Sequence, residues 1–192
     1  WLMCASIDGT GDIVEFIRKG IVWDEWLANF KKGLAAPGGK DKMLFDLTIT
    51  GPGMFSIKDL FDLSLELDVR IETKIMFAFH ADIVFSPFAW PKHILNRHLD
   101  ELLAYIEPKA TPKQQTLVNT LKGMKDRQTF AEQWPDTHEE QFFNGRNYQE
   151  QLDRIRQEQF RLEDIYKRDP ELYEWWTSCL LYTSDAADDS QC

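Results

Sequence analysis

Residues 1–79 alternate between segments typical of β-strands and segments typical of helices, and this alternation constrains the fold more than any other feature. Apolar runs at residues 1–7, 43–50 and 69–79 have the composition of strands, and the first predicts a strand buried on both faces. Between the first two runs, residues 23–30 place large apolar side chains at the spacing of one helix face. Strands that alternate with helices usually pair in parallel. The sequence therefore predicts an α/β fold of three βα units, too few strands for a complete barrel or doubly wound sheet.

From Pro91 onwards the pattern changes to successive amphipathic helices. Helices are predicted near residues 91–106, 112–124, 147–166 and 168–176. The apolar face of the first is expected to contain Ile94, Leu95, His98, Leu102 and Ile106. We therefore divide the chain into a strand–helix region at 1–79 and a mostly helical region at 80–178.

Residues that cap helix N-termini precede several of the predicted helices. The expected caps are Asp12, then Ser56 with Asp59 as a capping box, then Thr111 followed by Pro112. Each would fix the start of one helix, because a side-chain oxygen can accept from the free backbone amides there.

Composition limits the classes of function. A hydrophobic content of 43% and an aromatic content of 13% are typical of a folded chain, and the net charge of −10 argues against broad binding to nucleic acid. No apolar run approaches the roughly 20 residues that span a bilayer, and no signal peptide pattern is present. We expect a cytoplasmic protein with no membrane partner and no clear nucleic-acid binding; a peptide partner or a local basic site stays compatible with the charge.

Three cysteines, Cys4, Cys179 and Cys192, form neither a disulfide framework nor a closely spaced metal set. Cys4 is expected to be a small buried apolar residue of the first strand. Residues 179–189 resemble the translated sequence of a common transposase sequencing adapter. We therefore expect residues 179–192 to be an artefactual tail and the natural sequence to be a fragment of a longer protein.

Candidate functional residues lie where the first two predicted strands end. In parallel βα folds, chemistry gathers at the carboxyl ends of the strands, here residues 8–11 and 50–53. The Gly-Thr-Gly segment after Asp8 could cradle an anion at a helix N-terminus, or it could be a tight structural turn. Arg18 could hold a carboxylate in a bidentate fork, or it could be an exposed arginine at a helix end. No spacing of histidines predicts a metal site.

Several segments resemble the radical S-adenosylmethionine (SAM) enzymes. The run SIDGTG, the run EFIRKG and the run WDEWLANFKKGL resemble the fourth strand and following helices of their partial (β/α)6 barrel. SPFAWPKHIL is similar to the segment after the sixth strand, and LDRIRQEQFRLEDIYKRDPEL resembles the ending of a subset with a reduced auxiliary-cluster, or twitch, region. The resemblance covers about residues 4–176 and implies that residues 1–79 hold strands four to six of the barrel.

The resemblance implies both an activity and a site. A [4Fe-4S] cluster held by three cysteines would bind SAM and cleave it reductively to a 5′-deoxyadenosyl radical, which abstracts hydrogen from a substrate. Ser6 and Arg18 match positions that contact SAM in relatives, mainly around its carboxylate, and Asp8 is a loop-shaping residue and a further candidate contact. An electron donor and a peptide or other macromolecular substrate would be the partners.

The chain departs from the family pattern in its cluster ligands. The defining C-x-x-x-C-x-x-C loop and the glycine-rich segment after the second strand are absent, and no cysteine lies between Cys4 and Cys179. We therefore expect this chain alone to be inactive and to belong to a longer enzyme. Two alternatives remain: a non-catalytic interaction protein with an acidic helical region, and an unrelated βα-barrel enzyme with an anion site at the Gly-Thr-Gly loop.

Overall fold

The computed structural model describes residues 2–157 and 159–178, so the predicted artefactual tail, with Cys179 and Cys192, lies outside the described residues. Three strands, β1 (Met3–Ile7), β2 (Met43–Ile49) and β3 (Arg70–Ile75), form one sheet in the order β1-β2-β3. Both pairings are parallel. The predicted α/β class and parallel pairing are confirmed, and within the described residues the sheet is open and not closed into a barrel.

Ten α-helices surround or follow the sheet within the described ranges. They are α1 (Gly11–Ile17), α2 (Trp23–Ala35), α3 (Gly39–Lys42), α4 (Ile57–Glu66), α5 (Lys92–Ile106), α6 (Gln115–Lys125), α7 (Phe130–Gln133), α8 (His138–Ile155), α9 (Leu162–Tyr166) and α10 (Pro170–Ser178). Short 3₁₀ turns lie at Pro52–Ser56, Ile83–Phe85, Pro87–Ala89 and Pro112–Gln114. None of the described helices combines the length and the apolar character that a bilayer-spanning segment requires.

The two faces of the sheet differ in chemistry because side chains alternate along each strand. The covered face carries Phe45, Leu47, Ile49 and Ile71, all buried. Phe30 of α2 packs on Phe45 with ring centroids 4.7 Å apart, and Thr120 of α6 hydrogen-bonds Thr73 at 2.6 Å. The open face carries Ser6, Asp46, Thr48, Glu72 and Lys74, which are half-buried or exposed. One face of the sheet is therefore covered by helices and apolar, and the other is open and polar.

The helical region shares its hydrophobic core with the sheet. Buried apolar residues form one cluster that runs from Ile7 in β1 to Trp176 in α10. At its centre Tyr166 donates to the carbonyl oxygen of Val84 at 3.2 Å and accepts from the indole nitrogen of Trp90 at 3.3 Å. The division at residue 79 remains a prediction, because this core continues across it.

Two predictions about strands were wrong in detail. The first strand is not buried on both faces, since Met3 and Cys4 are exposed, and Cys4 is therefore not the buried apolar residue that its apolar neighbours suggested. Among the strands that the structure describes it lies at an edge of the sheet, with β2 as its neighbour on one side. The third strand ends at Ile75, four residues early, and Phe77 beyond it is half exposed.

Of the three predicted N-terminal caps, two stand at the position expected, and one of these makes the capping bond. Thr111 caps the turn that begins at Pro112, with Gln114 completing a capping box. Helix α1 begins at Gly11 with Thr10 as N-cap, so Asp12 lies inside its first turn. Ser56 is the N-cap residue of α4, as predicted, but it makes no side-chain capping bond, because its hydroxyl bonds other loop atoms.

The long charged helix predicted at residues 147–166 is interrupted. Helix α8 ends at Ile155, and Gln157 has a positive φ of 54°, a conformation that ends a helix. Ile155 is 77% exposed, so the apolar face expected for this helix does not pack as a continuous stripe. The chain resumes as α9 from Leu162.

Candidate functional site

The loops that follow β1 and β2 interlock at the carboxyl edge of the sheet. The backbone amide of Thr10 donates to the hydroxyl of Ser56 at 3.2 Å, and that hydroxyl donates to the carbonyl of Gly53 at 3.2 Å. A side chain at Gly9 would overlap the Ser56 hydroxyl, and one at Gly53 would overlap the carbonyl oxygen of Asp8. Both glycines are therefore explained by close approach of the two loops.

Arg18 and Asp8 form a two-pronged ion pair at this edge. The guanidinium Nε and Nη2 donate to the two oxygens of the Asp8 carboxylate, the second bond at 3.2 Å. The Asp8 side chain is 7% exposed, whereas that of Arg18 is 35% exposed. Of the two interpretations of Arg18, the carboxylate fork is the one observed, and the carboxylate is supplied by the chain itself.

A second polar group lies on the open face, beside the first. The hydroxyl of Ser6 donates to Asp46 Oδ2 at 3.1 Å, and Lys74 Nζ donates to the same oxygen at 2.7 Å. The bond from Lys74 lowers the pKa of the Asp46 carboxyl; burial opposes this, while Ser6 and the charges of Lys74 and Arg18 add to it. Asp46 is therefore ionised at neutral pH.

These two groups belong to one charge cluster. The Arg18 charge acts on Asp46, and Ser6 lies directly opposite Asp46 in the sheet register. Glu72, the next residue in that row, pairs instead with Arg70 at 3.1 Å. The structure thus places the predicted site residues at the same edge of the sheet.

Sequence reasoning missed two members of this cluster. Asp46 and Lys74 are charged residues within segments whose other residues are mostly apolar or alternate between apolar and polar. Their charge was the one sign in the sequence that they could belong to a site. Their partners could not be assigned, because the pairing depends on strand register: Ser6 and Asp46 are 40 residues apart.

The Gly-Thr-Gly loop provides little for an anion. Helix α1 has seven residues, and its Thr10 amide already donates to Ser56. Gly11 has a φ of 56°, which favours glycine. Within the described loop, the tight-turn interpretation accounts for both glycines.

The described residues do not fit an iron–sulfur cluster. Cys4 is the one cysteine among them, and no three His, Cys, Asp or Glu side chains of this part of the chain are grouped as a metal site. Two of the histidines bond carboxylates, His93 to Glu171 at 3.1 Å and His98 to Asp169 at 2.6 Å.

A cavity of about 270 Å³ lies between the loop that follows β2, the helices α4 and α5, and the start of α10. Arg97, His98 and Asp169 line it together with Phe55 and Lys58. Asp169 Oδ2 accepts from Arg97 at 2.7 Å and from His98 at 2.6 Å, so this polar group joins α5 to α10.

Comparison with known proteins assigns no family to the chain. No protein-family model, no curated protein and no solved structure matches it. Its function is therefore inferred from the site itself and from the sequence resemblance.

Proposed function

We propose that this chain supplies the wall that binds the SAM carboxylate in a radical SAM enzyme, with β1 to β3 as strands four to six of a partial (β/α)6 barrel. The observation that supports this most directly is the fork of Arg18 around a carboxylate, at the carboxyl end of β1 and beside Ser6. Arginine holds carboxylates bidentately better than any other side chain.

The Arg18 guanidinium can accept a second carboxylate. The fork to Asp8 uses Nε and Nη2, and a guanidinium has a further amino group with two more N–H donors. The Arg18 side chain is also partly exposed, so a ligand can reach it. Arg18 would then bind the SAM carboxylate while Asp8 keeps the guanidinium oriented.

The one-sided sheet supports the barrel part of the proposal. In a barrel the outer face of the sheet packs against helices and the inner face points towards the ligand. The covered face is apolar, as the outer face of a barrel would be. The open face, with Ser6, Asp46 and Lys74, is polar, as an inner face that contacts a ligand would be. This step is an analogy between folds.

The described residues do not supply the [4Fe-4S] ligands, so we assign this chain only the contact to SAM. In the rest of the proposal, cysteine ligands from another part of a longer enzyme hold the cluster. That enzyme works in the cytoplasm, receives electrons from a donor and acts on a peptide or other macromolecular substrate. Genomic DNA upstream of the codon for Trp1, read in the same frame, is expected to encode C-x-x-x-C-x-x-C. A start codon directly before Trp1 would contradict this part.

The SAM contact can be tested on the chain itself by isothermal titration calorimetry. We expect Arg18→Gln to weaken SAM binding about tenfold or more, since a hydrogen bond to a charged group contributes about 1.5–3 kcal/mol. Asp8→Asn should also weaken binding, because it removes the charged carboxylate that keeps the Arg18 guanidinium oriented. Arg70→Gln is the matched control: it removes an arginine from β3 that pairs with Glu72. Equal effects of Arg18→Gln and Arg70→Gln would exclude the proposed contact.

A second candidate function, an interaction protein, is favoured by an acidic groove of about 420 Å³ beside the site. Trp23 of α2 lines it together with Asp59, Asp62 and Glu66 of α4. Such a groove suits a cationic segment of a partner protein. Binding of an oligolysine peptide that is lost in Asp59→Asn, without any binding of SAM, would favour this candidate.

A further inference from the structure

We propose that the cavity between the loop after β2, the helices α4 and α5, and the start of α10 binds a phosphate monoester, a phosphate carried on a small apolar group. Three cationic side chains from three elements line it: Lys58 of α4, Arg97 of α5, and Arg168 from the segment between α9 and α10. This site is independent of the proposed SAM contact, because neither Arg18 nor Asp8 lines the cavity.

Close contacts bring these three elements together. The ring of Phe55, in the turn just before α4, lies edge-on to the imidazole of His98 in α5, with ring centroids 5.2 Å apart. His98 in turn lies 2.6 Å from the carboxylate of Asp169, the residue that follows Arg168. The three cations therefore lie around one cavity of about 270 Å³ and are not scattered over the surface.

The cavity has an excess of positive charge in a chain whose net charge is −10. Its lining contains the three cations and two carboxylates, those of Glu101 and Asp169. The acidic groove that Asp59 lines has the opposite balance, with three carboxylates and no cationic side chain in its lining. Local charge therefore favours an anion in this cavity, although the protein as a whole repels one.

Neighbouring carboxylates orient the two guanidiniums without using all of their donors. Arg97 donates from Nη2 to Asp169 and Glu171, at 2.7 and 3.1 Å. Arg168 donates from Nη2 to Asp12 at 2.6 Å. A guanidinium has five N–H donors on three nitrogens, and these bonds use one nitrogen of each. Each arginine therefore keeps donors that can bind a ligand.

Of the three cations, Lys58 is the one whose charge is least compensated. Its side chain is half-buried, and its Nζ lies 5.5 Å from the centre of the Tyr105 ring. No carboxylate of the described residues lies within ion-pair distance of this ammonium. Lysine binds phosphate as a compact point charge. We therefore expect Lys58 to contribute most to the binding of an anion.

The size and the remaining lining of the cavity define the rest of the ligand. Met54, Phe55 and Leu102 add apolar surface beside the charged groups. The volume of about 270 Å³ lies just below the range of about 300–1,000 Å³ that is usual for ligand pockets, so a small ligand is favoured. Cations from three elements suit the three terminal oxygens of a phosphate monoester better than the two of a carboxylate.

Four probes test the site in chemical-shift titrations of the full chain at constant ionic strength. Phenyl phosphate has the phosphate and the apolar group, inorganic phosphate and benzyl alcohol each have one of them, and benzoate has a carboxylate instead. We expect phenyl phosphate to bind about tenfold more tightly than the others, with shifts centred on the amides of Phe55, Lys58 and Arg168. Equal binding of benzoate would overturn the assignment to phosphate, and shifts centred elsewhere would overturn the site.

A pair of lysine variants separates the site from a general charge effect. Lys58→Met should weaken the binding of phenyl phosphate about tenfold, because it removes a charged hydrogen-bond donor and keeps most of the side chain. Lys109→Met is the matched control, since Lys109 also lies over the Tyr105 ring, at 3.3 Å, but does not line the cavity. The two variants change the net charge equally, so equal effects on binding would overturn the role of Lys58.

Glu101→Gln should increase binding, because it removes a carboxylate from the lining of the cavity. Glu101 lies 3.7 Å from Arg97 Nη1 and is 54% exposed, so its loss frees a guanidinium donor and should leave the fold intact. Phenyl phosphate should then bind several-fold more tightly, a gain that misfolding cannot produce. Asp100→Asn is the control, since Asp100 precedes Glu101 in α5 but pairs with Lys125. Equal binding by wild type, Lys58→Met and Glu101→Gln would show that the proposed site is wrong.

Discussion

The imidazole of His98 lies 2.6 Å from the carboxylate of Asp169 and so links the middle of α5 to the start of the last helix. The other oxygen of Asp169 accepts from the amides of Glu171 and Leu172, at 3.0 and 3.1 Å, and caps α10. The Asp169 side chain is 6% exposed. One buried carboxylate thus holds two helices together.

Asp169→Asn should lower the free energy of unfolding by about 1.5–3 kcal/mol, the usual contribution of hydrogen bonds to a charged group. Asparagine can still cap α10, so the loss should come from the bonds to Arg97 and His98. Urea unfolding measures it. Glu171→Gln is the control: it removes an exposed partner of Arg97 and His93 and should cost under about 1 kcal/mol. Equal losses in the two variants would contradict the assigned role.

The contribution of Asp169 should depend on pH in the acid range. Burial alone would raise the pKa of Asp169, but the bonds from Leu172, Arg97 and His98 outweigh it, so the pKa is lowered from the ordinary 3.8. A lowered pKa means that the stabilisation is present above pH 3.8 and is lost as the pH falls through the folded-state pKa. The difference between wild type and Asp169→Asn should therefore shrink below that pH in urea unfolding. A difference that stays constant down to about pH 2 would argue against it.

Tyr166→Phe should destabilise the protein by about 1–3 kcal/mol, because it leaves the buried indole N–H of Trp90 without its acceptor. Burial raises the pKa of the Tyr166 phenol far above its usual value, so this side chain should not ionise before the protein unfolds in alkali. Thermal unfolding measures the loss of stability, and absorbance at alkaline pH measures the ionisation of the phenol. Tyr173→Phe, which removes a partly exposed bond to Glu163, should have the smaller effect.

Gly53→Ala should disturb the interlocked loops, because its methyl group would overlap the carbonyl oxygen of Asp8. We expect a destabilisation of about 1–3 kcal/mol together with weaker SAM binding, since the Asp8–Arg18 pair would shift. Gly123→Ala in α6 is the control: nothing lies within 4 Å of the added atom, so it should stabilise by about 0.5–1 kcal/mol. Calorimetric melting of both variants tests the pair, and a Gly53→Ala protein as stable as wild type would contradict the close approach.

The spacing of apolar residues in the sequence correctly predicted the helices that pack through one regular apolar face. All five apolar-face residues expected in α5, from Ile94 to Ile106, are buried, and α2 presents Trp26 and Phe30 to Phe45 as its spacing indicated. These patterns are local, so a single sequence contains them. The break after Ile155 was missed because it depends on the backbone of Gln157, where no glycine or proline marks it.

The site could be predicted in part. Ser6, Asp8 and Arg18 were expected from the carboxyl end of a strand and from resemblance, and they do lie at one edge of the sheet. Asp46 and Lys74 were not expected, because only the register of β2 and β3 reveals which polar residues meet Ser6. The Asp8–Arg18 pair was also missed, since the sequence does not show whether the carboxylate that Arg18 holds belongs to a ligand or to a side chain of the protein.

The charges on the open face cancel in pairs, Asp46 with Lys74 and Glu72 with Arg70, although the whole chain carries a net charge of −10. A surface of neighbouring opposite charges produces little field beyond the distance over which salt screens, about 8 Å under physiological conditions. It cannot draw a charged molecule in from afar, as a surface of one sign does. The open face itself therefore adds little steering, and any dependence of the association rate of a ligand on ionic strength should come from the net charge of the rest of the chain.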